Sequence, residues 1–230
     1  MIQHKAVLDE ERELVLWPGG FSFEALMQRR REMGEILFGC QYENDPSGLK
    51  GQLLKPEWMH WYERGEEPAR DAMLIFMAVD PAISQAPRAD YFALVVVGMD
   101  DDRNIWILDT YRDRLDFPAQ MDVIKSKAVQ WDACEVAIEE VAYQLSLVQA
   151  LMRESSLPVV RSKSTGDKTA RIMAMGPHFE NGRIRVRRDM RELETEYLAF
   201  PRGAHDDLLD ALEMAVAAAL DTRQPWIIQL

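Results

Sequence analysis

Three acidic residues stand where folding would bring them together. Asp80 closes the apolar run Met73–Val79, Glu139 closes Val136–Ile138, and Asp207 lies in Gly203-Ala204-His205-Asp206-Asp207-Leu208-Leu209-Asp210, at the mouth of an apolar stretch. Carboxylate oxygens gathered in this way suit a hard divalent cation. If the two strands are neighbours, their backbones run ~4.8 Å apart and their terminal carboxylates converge. Carboxylates that close repel one another unless cations lie between them. Two Mg²⁺ or Mn²⁺ ions ~3.5–4 Å apart would satisfy the set, one activating a water and the other stabilising the leaving oxygen of a phosphodiester. Each residue also has a plainer reading. An Asp at a strand end is commonly a turn residue, Glu139-Glu140 fits a solvated pair, and Asp206-Asp207 fits a helix cap. Glu140 is the register alternative to Glu139, Asp206 is an assisting ligand, and Asp210, one helical turn after Asp207, is an outer ligand or a structural residue. His205 either orients an aspartate or packs.

Two sets of cations are candidates for contacting a phosphate backbone. Lys168 and Arg171 stand three apart on one helix, with a solvated helix face as the alternative. In Arg183-Ile184-Arg185-Val186-Arg187 the alternation places Arg183, Arg185 and Arg187 on one strand face.

The elements that must position these residues follow from hydrophobic periodicity. Seven apolar residues before Asp80, without alternation, suit a strand covered on both faces. Tyr91–Met99 and Asn104–Tyr111, joined by the polar turn 100–103, complete an antiparallel meander. A helix over Phe117–Trp131 leads to the strand Glu135–Glu139. Then follow a helix at about 143–154, a strand at 158–160, a helix opened by Gly166-Asp167-Lys168, a short strand at 182–187 and a final helix from about Asp206 to Leu220. Three antiparallel strands followed by helix–strand alternation give an α/β mixed sheet with helices on both faces, the element order of the ribonuclease H-like fold. Residues 1–70 differ. They read as an N-terminal extension with an amphipathic helix over Phe21–Met33, capped by Ser22, a loop at 41–48 and a short helical piece at 56–62; the main domain spans 71–225.

The chain has 230 residues, 47% of them hydrophobic, enough for a packed core. Two cysteines, Cys40 and Cys134, do not make a disulfide framework or a zinc cluster. The net charge of −12 argues against a generic, charge-driven DNA binder, although bound cations and local basic patches would offset it. No run approaches the ~18 apolar residues of a membrane span, and no signal-peptide core is present. The expected compartment is the cytoplasm.

At these residues the chain resembles the nuclease domain of the large terminase subunit of tailed bacteriophages. The matching pieces are Asp80-Pro81-Ala82, Ile138-Glu139-Glu140-Val141-Ala142-Tyr143-Gln144, Gly166-Asp167-Lys168-Thr169-Ala170-Arg171, Phe179-Glu180-Asn181-Gly182-Arg183-Ile184 and Phe200–Ala211, in that order over 73–221. Residues 13–62 resemble the tail of the preceding motor domain. The resemblance implies an endonuclease that cuts concatemeric viral DNA during packaging into a capsid, inside the bacterial host cell. It assigns metal ligation to Asp80, Glu139 and Asp207, with Asp206 assisting. The implied partners are double-stranded DNA, the terminase motor domain, the small terminase subunit and the portal. No Gly-x-x-x-x-Gly-Lys-Ser/Thr loop occurs, so ATP hydrolysis is not expected of this chain. Two other readings remain open: a junction resolvase or hybrid hydrolase of the same fold, and an inactive docking module for a packaging motor.

Overall fold

The computed structural model describes residues 4–49, 52–82, 91–139, 145–163 and 166–221. Near the start, β1 (Val7–Asp9) and β2 (Leu14–Val15) form a small antiparallel pair, followed by α1 (Phe23–Tyr42). Ser22 caps α1 by accepting the Ala25 N–H at 3.1 Å. Leu26, Phe23, Met27 and Met33 join Val7 and Phe38 in a small apolar cluster. The helix runs past the expected Met33 but breaks at Gly34 (φ 78°), a left-handed conformation that glycine adopts without strain. At the break the Glu35 N–H donates to Glu180 at 3.1 Å, which ties this segment to the main body.

The segment expected to be helical at 56–62 is instead a 3-10 turn, Pro56–Trp58, followed by β3 (His60–Tyr62). Tertiary pairing decides this, because β3 runs parallel to β9 (Ile184–Arg187) as an edge strand of the main sheet. Leu53, Leu54, Trp58 and Met59 enter the core beside it, so residues read as an extension supply both a strand and core packing.

The remaining elements are β4 (Leu74–Asp80), β5 (Phe92–Met99), β6 (Ile105–Asp113), α2 (Phe117–Trp131), β7 (Glu135–Glu139), α3 (Leu145–Glu154), β8 (Val159–Ser162), α4 (Lys168–Ala174), α5 (Gly176–Glu180), α6 (Arg191–Ala199) and α7 (Asp207–Asp221). The sheet order is β3-β9-β6-β5-β4-β7-β8. β5 runs antiparallel to both β4 and β6, while β7 is parallel to β4 and β8 to β7. This is the mixed, centrally buried sheet expected of a ribonuclease H-like fold, with the first strand of the meander beside the fourth. α6 was not anticipated from the sequence, although Leu193, Tyr197 and Phe200 follow helical spacing and are buried.

Side chains alternate across the central strands. Phe76, Ala78, Ala93, Val95 and Ala137 pack in one layer with α7, whereas Ile75, Met77, Val79, Leu94 and Ile138 pack in the other with residues of α2 and α3. α7 is apolar on most of its surface because it lies flat on the first face, against β4, β5, β6 and β7.

Candidate active site at the carboxyl end of the sheet

Asp80 and Glu139 are the last residues of β4 and β7, one step beyond the paired residues Val79 and Ile138. By alternation from Ala78 and Ala137, both fall on the α7 face. Asp207 begins α7 over that face and is buried, 8% exposed. The electrostatics register this convergence. Burial pushes the Asp80 carboxyl well above the ordinary carboxylate range, and the charges of Glu139, Asp210 and Asp207 raise it further, with a side-chain hydrogen bond to Glu139.

The helix-capping alternative for the aspartates is met by another residue. Glu196 on α6 is buried, 3% exposed, and its Oε2 accepts the N–H groups of Leu208 (2.8 Å) and Leu209 (3.2 Å). Those are free donors of the first turn of α7. Arg112, on β6, bonds the other Glu196 oxygen and reaches Glu192 at 3.0 Å. Burial raises the Glu196 carboxyl despite these donors and Arg112, and Asp207 adds to the rise. The sequence reading missed Glu196 and Arg112. The detectable signal was the buried spacing of α6; the charge pairing with β6 spans 84 residues and has none.

Asp206 and Asp210 face α4. Lys168 Nζ lies 2.8 Å from Asp206 Oδ1 and also bonds Asp210. Arg171 lies 3.7 Å from Asp210 and bonds Glu213. Asp167 caps α4 by accepting the Ala170 N–H at 2.9 Å, which fixes the turn from which Lys168 reaches out. Burial raises the Asp210 carboxyl to about 6, Lys168 and Arg171 opposing the rise and Asp206 adding to it. Burial alone would lower the Lys168 ammonium, but its bonds to Asp206 and Asp210 outweigh this and hold it above its usual value. Lys168 and Arg171, expected on phosphate, are therefore ion-paired within the acidic cluster. His205 Nδ1 lies 3.7 Å from Asp207 Oδ2, and its ring meets Tyr91 edge-on at 5.0 Å. Glu140 lies outside the described residues.

The arginine strand is not at this site. Ile184 is level, through Ile105 and Met99, with Leu74 at the opposite end of β4. Six residues of strand, about 20 Å, separate that level from Asp80. Arg183 is exposed, Arg185 rests 5.1 Å over Trp106, and Arg187 is only 9% exposed, bonded to Asp189 at 2.6 Å and to the Leu108 carbonyl. Alternation put Arg185 and Arg187 on one face as expected, but neighbouring strands and residues cover that face.

Among the described residues, no three His, Cys, Asp or Glu side chains stand close enough to enclose one ion as they lie. Lys168 pairs with Asp206 and Asp210. The donor chemistry, all carboxylate oxygen at a desolvated point of mutual repulsion, fits a hard divalent cation.

A mixed seven-stranded sheet carrying clustered acids at the carboxyl ends of its central parallel strands defines a ribonuclease H-like nuclease domain. The family model described as "Terminase RNaseH-like domain" matches residues 77–219, and the chain belongs to that family. No curated protein matches it. Among solved structures it is similar to the human cytomegalovirus terminase nuclease domain, Mn soaked and inhibitor bound (15% identity, TM-score 0.56, covering 74% of this chain and 96% of that one). It is similar also to the large terminase nuclease of thermophilic phage G20c with bound magnesium (16%, TM-score 0.54, 72% and 93%). The large terminase of a second thermophilic bacteriophage aligns at 13% identity and TM-score 0.66 over 87% of this chain, which spans 52% of that protein. Among the described residues no helix is long and apolar enough to cross a membrane.

Proposed function

We propose that the domain is a divalent-metal-dependent DNA endonuclease that cuts concatemeric viral DNA during genome packaging, by two-metal phosphodiester hydrolysis. The observation that carries this reading is the placing of Asp80 and Glu139 at the ends of adjacent parallel strands, on the face over which α7 starts with the buried Asp207. A purely structural site gains nothing from holding like charges together in a desolvated place.

Asp80, Glu139 and Asp207 would hold the metal, with Asp206 assisting once Lys168 releases it. When bound, such ions supply Lewis acidity for a water nucleophile and for the leaving oxygen. The protein's own part is positional. The sheet fixes Asp80 and Glu139 through backbone pairing, and Glu196 fixes Asp207 by holding the first turn of α7. His205, beside Asp207, orients that carboxylate. Lys168 and Arg171 balance the outer acids, Asp206, Asp210 and Glu213. The packaging context follows the family: the expected partners are double-stranded DNA, the motor domain, the small subunit and the portal, in the host cytoplasm.

The test is plasmid cleavage with Mg²⁺, Mn²⁺ or chelator, wild type beside Asp80→Asn and Asp207→Asn. The expected result is nicking and linearisation that require metal and vanish in both variants. Cleavage that persists in Asp80→Asn would remove the carboxylate site from the chemistry.

A further inference from the structure

With the arginine strand at the far end of the sheet and Lys168 and Arg171 tied to acids, the substrate backbone lacks its expected contacts. The carboxyl end of the sheet carries other cations. Asp80 is level with Ala93 on β5 and Arg112 on β6, so β6 passes two strands from Asp80, about 10 Å. Arg114 follows the end of β6. Its guanidinium lies 4.1 Å from the centre of the Tyr91 ring, and Arg112 lies 4.9 Å from the same ring. Arg112 is neutralised by Glu192 and Glu196. Arg114 has no ion pair among the described residues, its Nε is buried without a hydrogen-bond partner, and neighbouring Asp113 accepts only its backbone N–H, at 2.8 Å. On the opposite flank, β8 ends level with Glu139: Ser162 pairs with Glu139 and Lys163 follows, while Arg161, level with Ile138, falls on the α2/α3 face away from the carboxylates. Lys163 is exposed and makes no ion pair among the described residues.

We infer that the phosphate backbone of the DNA runs across the carboxyl end of the sheet from β6 to β8, held by Arg114 on one side of the carboxylates and by Lys163 on the other. The inference rests on the nuclease reading above. A guanidinium stacked on an aromatic face keeps its N–H edge for a bidentate phosphate contact, so Arg114 is the contact and Tyr91 is its positioning residue. A chain of net charge −12 repels DNA over most of its surface. Cations that bracket the acidic site steer the strand to the one place where it is to be cut.

The test is fluorescence anisotropy of a labelled duplex with the full chain in Ca²⁺, over a range of salt, with plasmid cleavage in Mg²⁺ run in parallel. Arg114→Ala should weaken binding about tenfold and reduce the slope of log K against log salt by about one. Lys163→Ala should lower the slope by about one, and Arg161→Ala, on the other face, should leave it unchanged. Tyr91→Ala should weaken binding less than Arg114→Ala and add nothing to it. Arg12→Ala, in the N-terminal hairpin, serves as the control that leaves binding unchanged. Arg114→Gln substitutes if the alanine variant loses its circular dichroism signal. Wild-type affinity and slope in the Arg114 and Lys163 variants, with wild-type protein that cuts plasmid, would overturn the bracket alone. Wild-type protein that neither binds nor cuts would overturn the nuclease reading, and the bracket with it.

Discussion

Asp80 concentrates the energetic tension of the molecule. Its folded-state affinity for a proton exceeds that of an exposed carboxylate, because ionisation places charge in a buried spot facing Glu139, Asp210 and Asp207. A raised carboxyl pKa means that the folded state binds more protons than the unfolded chain, so this group costs stability as pH climbs from about 4, where the unfolded carboxylate titrates, upward through the raised value. Asp80→Asn should therefore raise the melting temperature of the metal-free protein at pH 7, and the gain should shrink to nothing near pH 3. Thermal scans at several pH values check this, and a variant less stable than wild type at neutral pH would contradict it. Added Mg²⁺ should stabilise the wild type and leave Asp80→Asn unchanged, since a ligand stabilises only the state that binds it.

At the level of elements, the start of α7 depends on a carboxylate from another helix. Glu196 serves two buried N–H groups and is itself charge-balanced by Arg112. Removing Glu196 leaves two buried N–H groups without their acceptor and Arg112 with Glu192 alone. Glu196→Ala should destabilise the domain by about 3–5 kcal/mol, and Glu196→Gln, which keeps an acceptor oxygen, by about 1–2 kcal/mol. Urea unfolding midpoints measure both. The double variant Arg112→Ala/Glu196→Ala should cost less than the sum of the two single changes, because they share one interaction. Additive losses would show that the two residues act independently.

For the whole molecule, the seven-stranded sheet closes on β3 from the N-terminal segment, with Leu54 and Trp58 buried beneath it and the Tyr62 hydroxyl donating to the Ile107 carbonyl at 2.6 Å. A chain starting at residue 71 would lose that edge strand and expose the β9 backbone, together with apolar surface on the α7 side. It should be markedly less stable than the full chain or aggregate, as size-exclusion chromatography and thermal unfolding would report. Equal stability of the shortened chain would make the segment an appendage.

The sequence alone determined the meander, the crossover strands and the placing of Asp80, Glu139 and Asp207 at the ends of their elements, because strand and helix periodicity and strand termini are local properties. It also located Ser22 and Asp167 at helix starts, where a short acceptor side chain meets a nearby N–H. Local pattern misread 56–62, whose β pairing partner lies more than a hundred residues later, and left α6 unread. It gave Arg183, Arg185 and Arg187 their alternation but not their place in the sheet. Register across four strands put them at the wrong end for the carboxylates and covered Arg187. Only the tertiary structure decided that Glu196 caps α7, that Lys168 balances Asp206 and Asp210, and that Arg114 lies beside the carboxyl end of the sheet with no acidic partner among the described residues. Each of these depends on which charges are brought within a few ångströms by distant parts of the chain, and no local spacing encodes that.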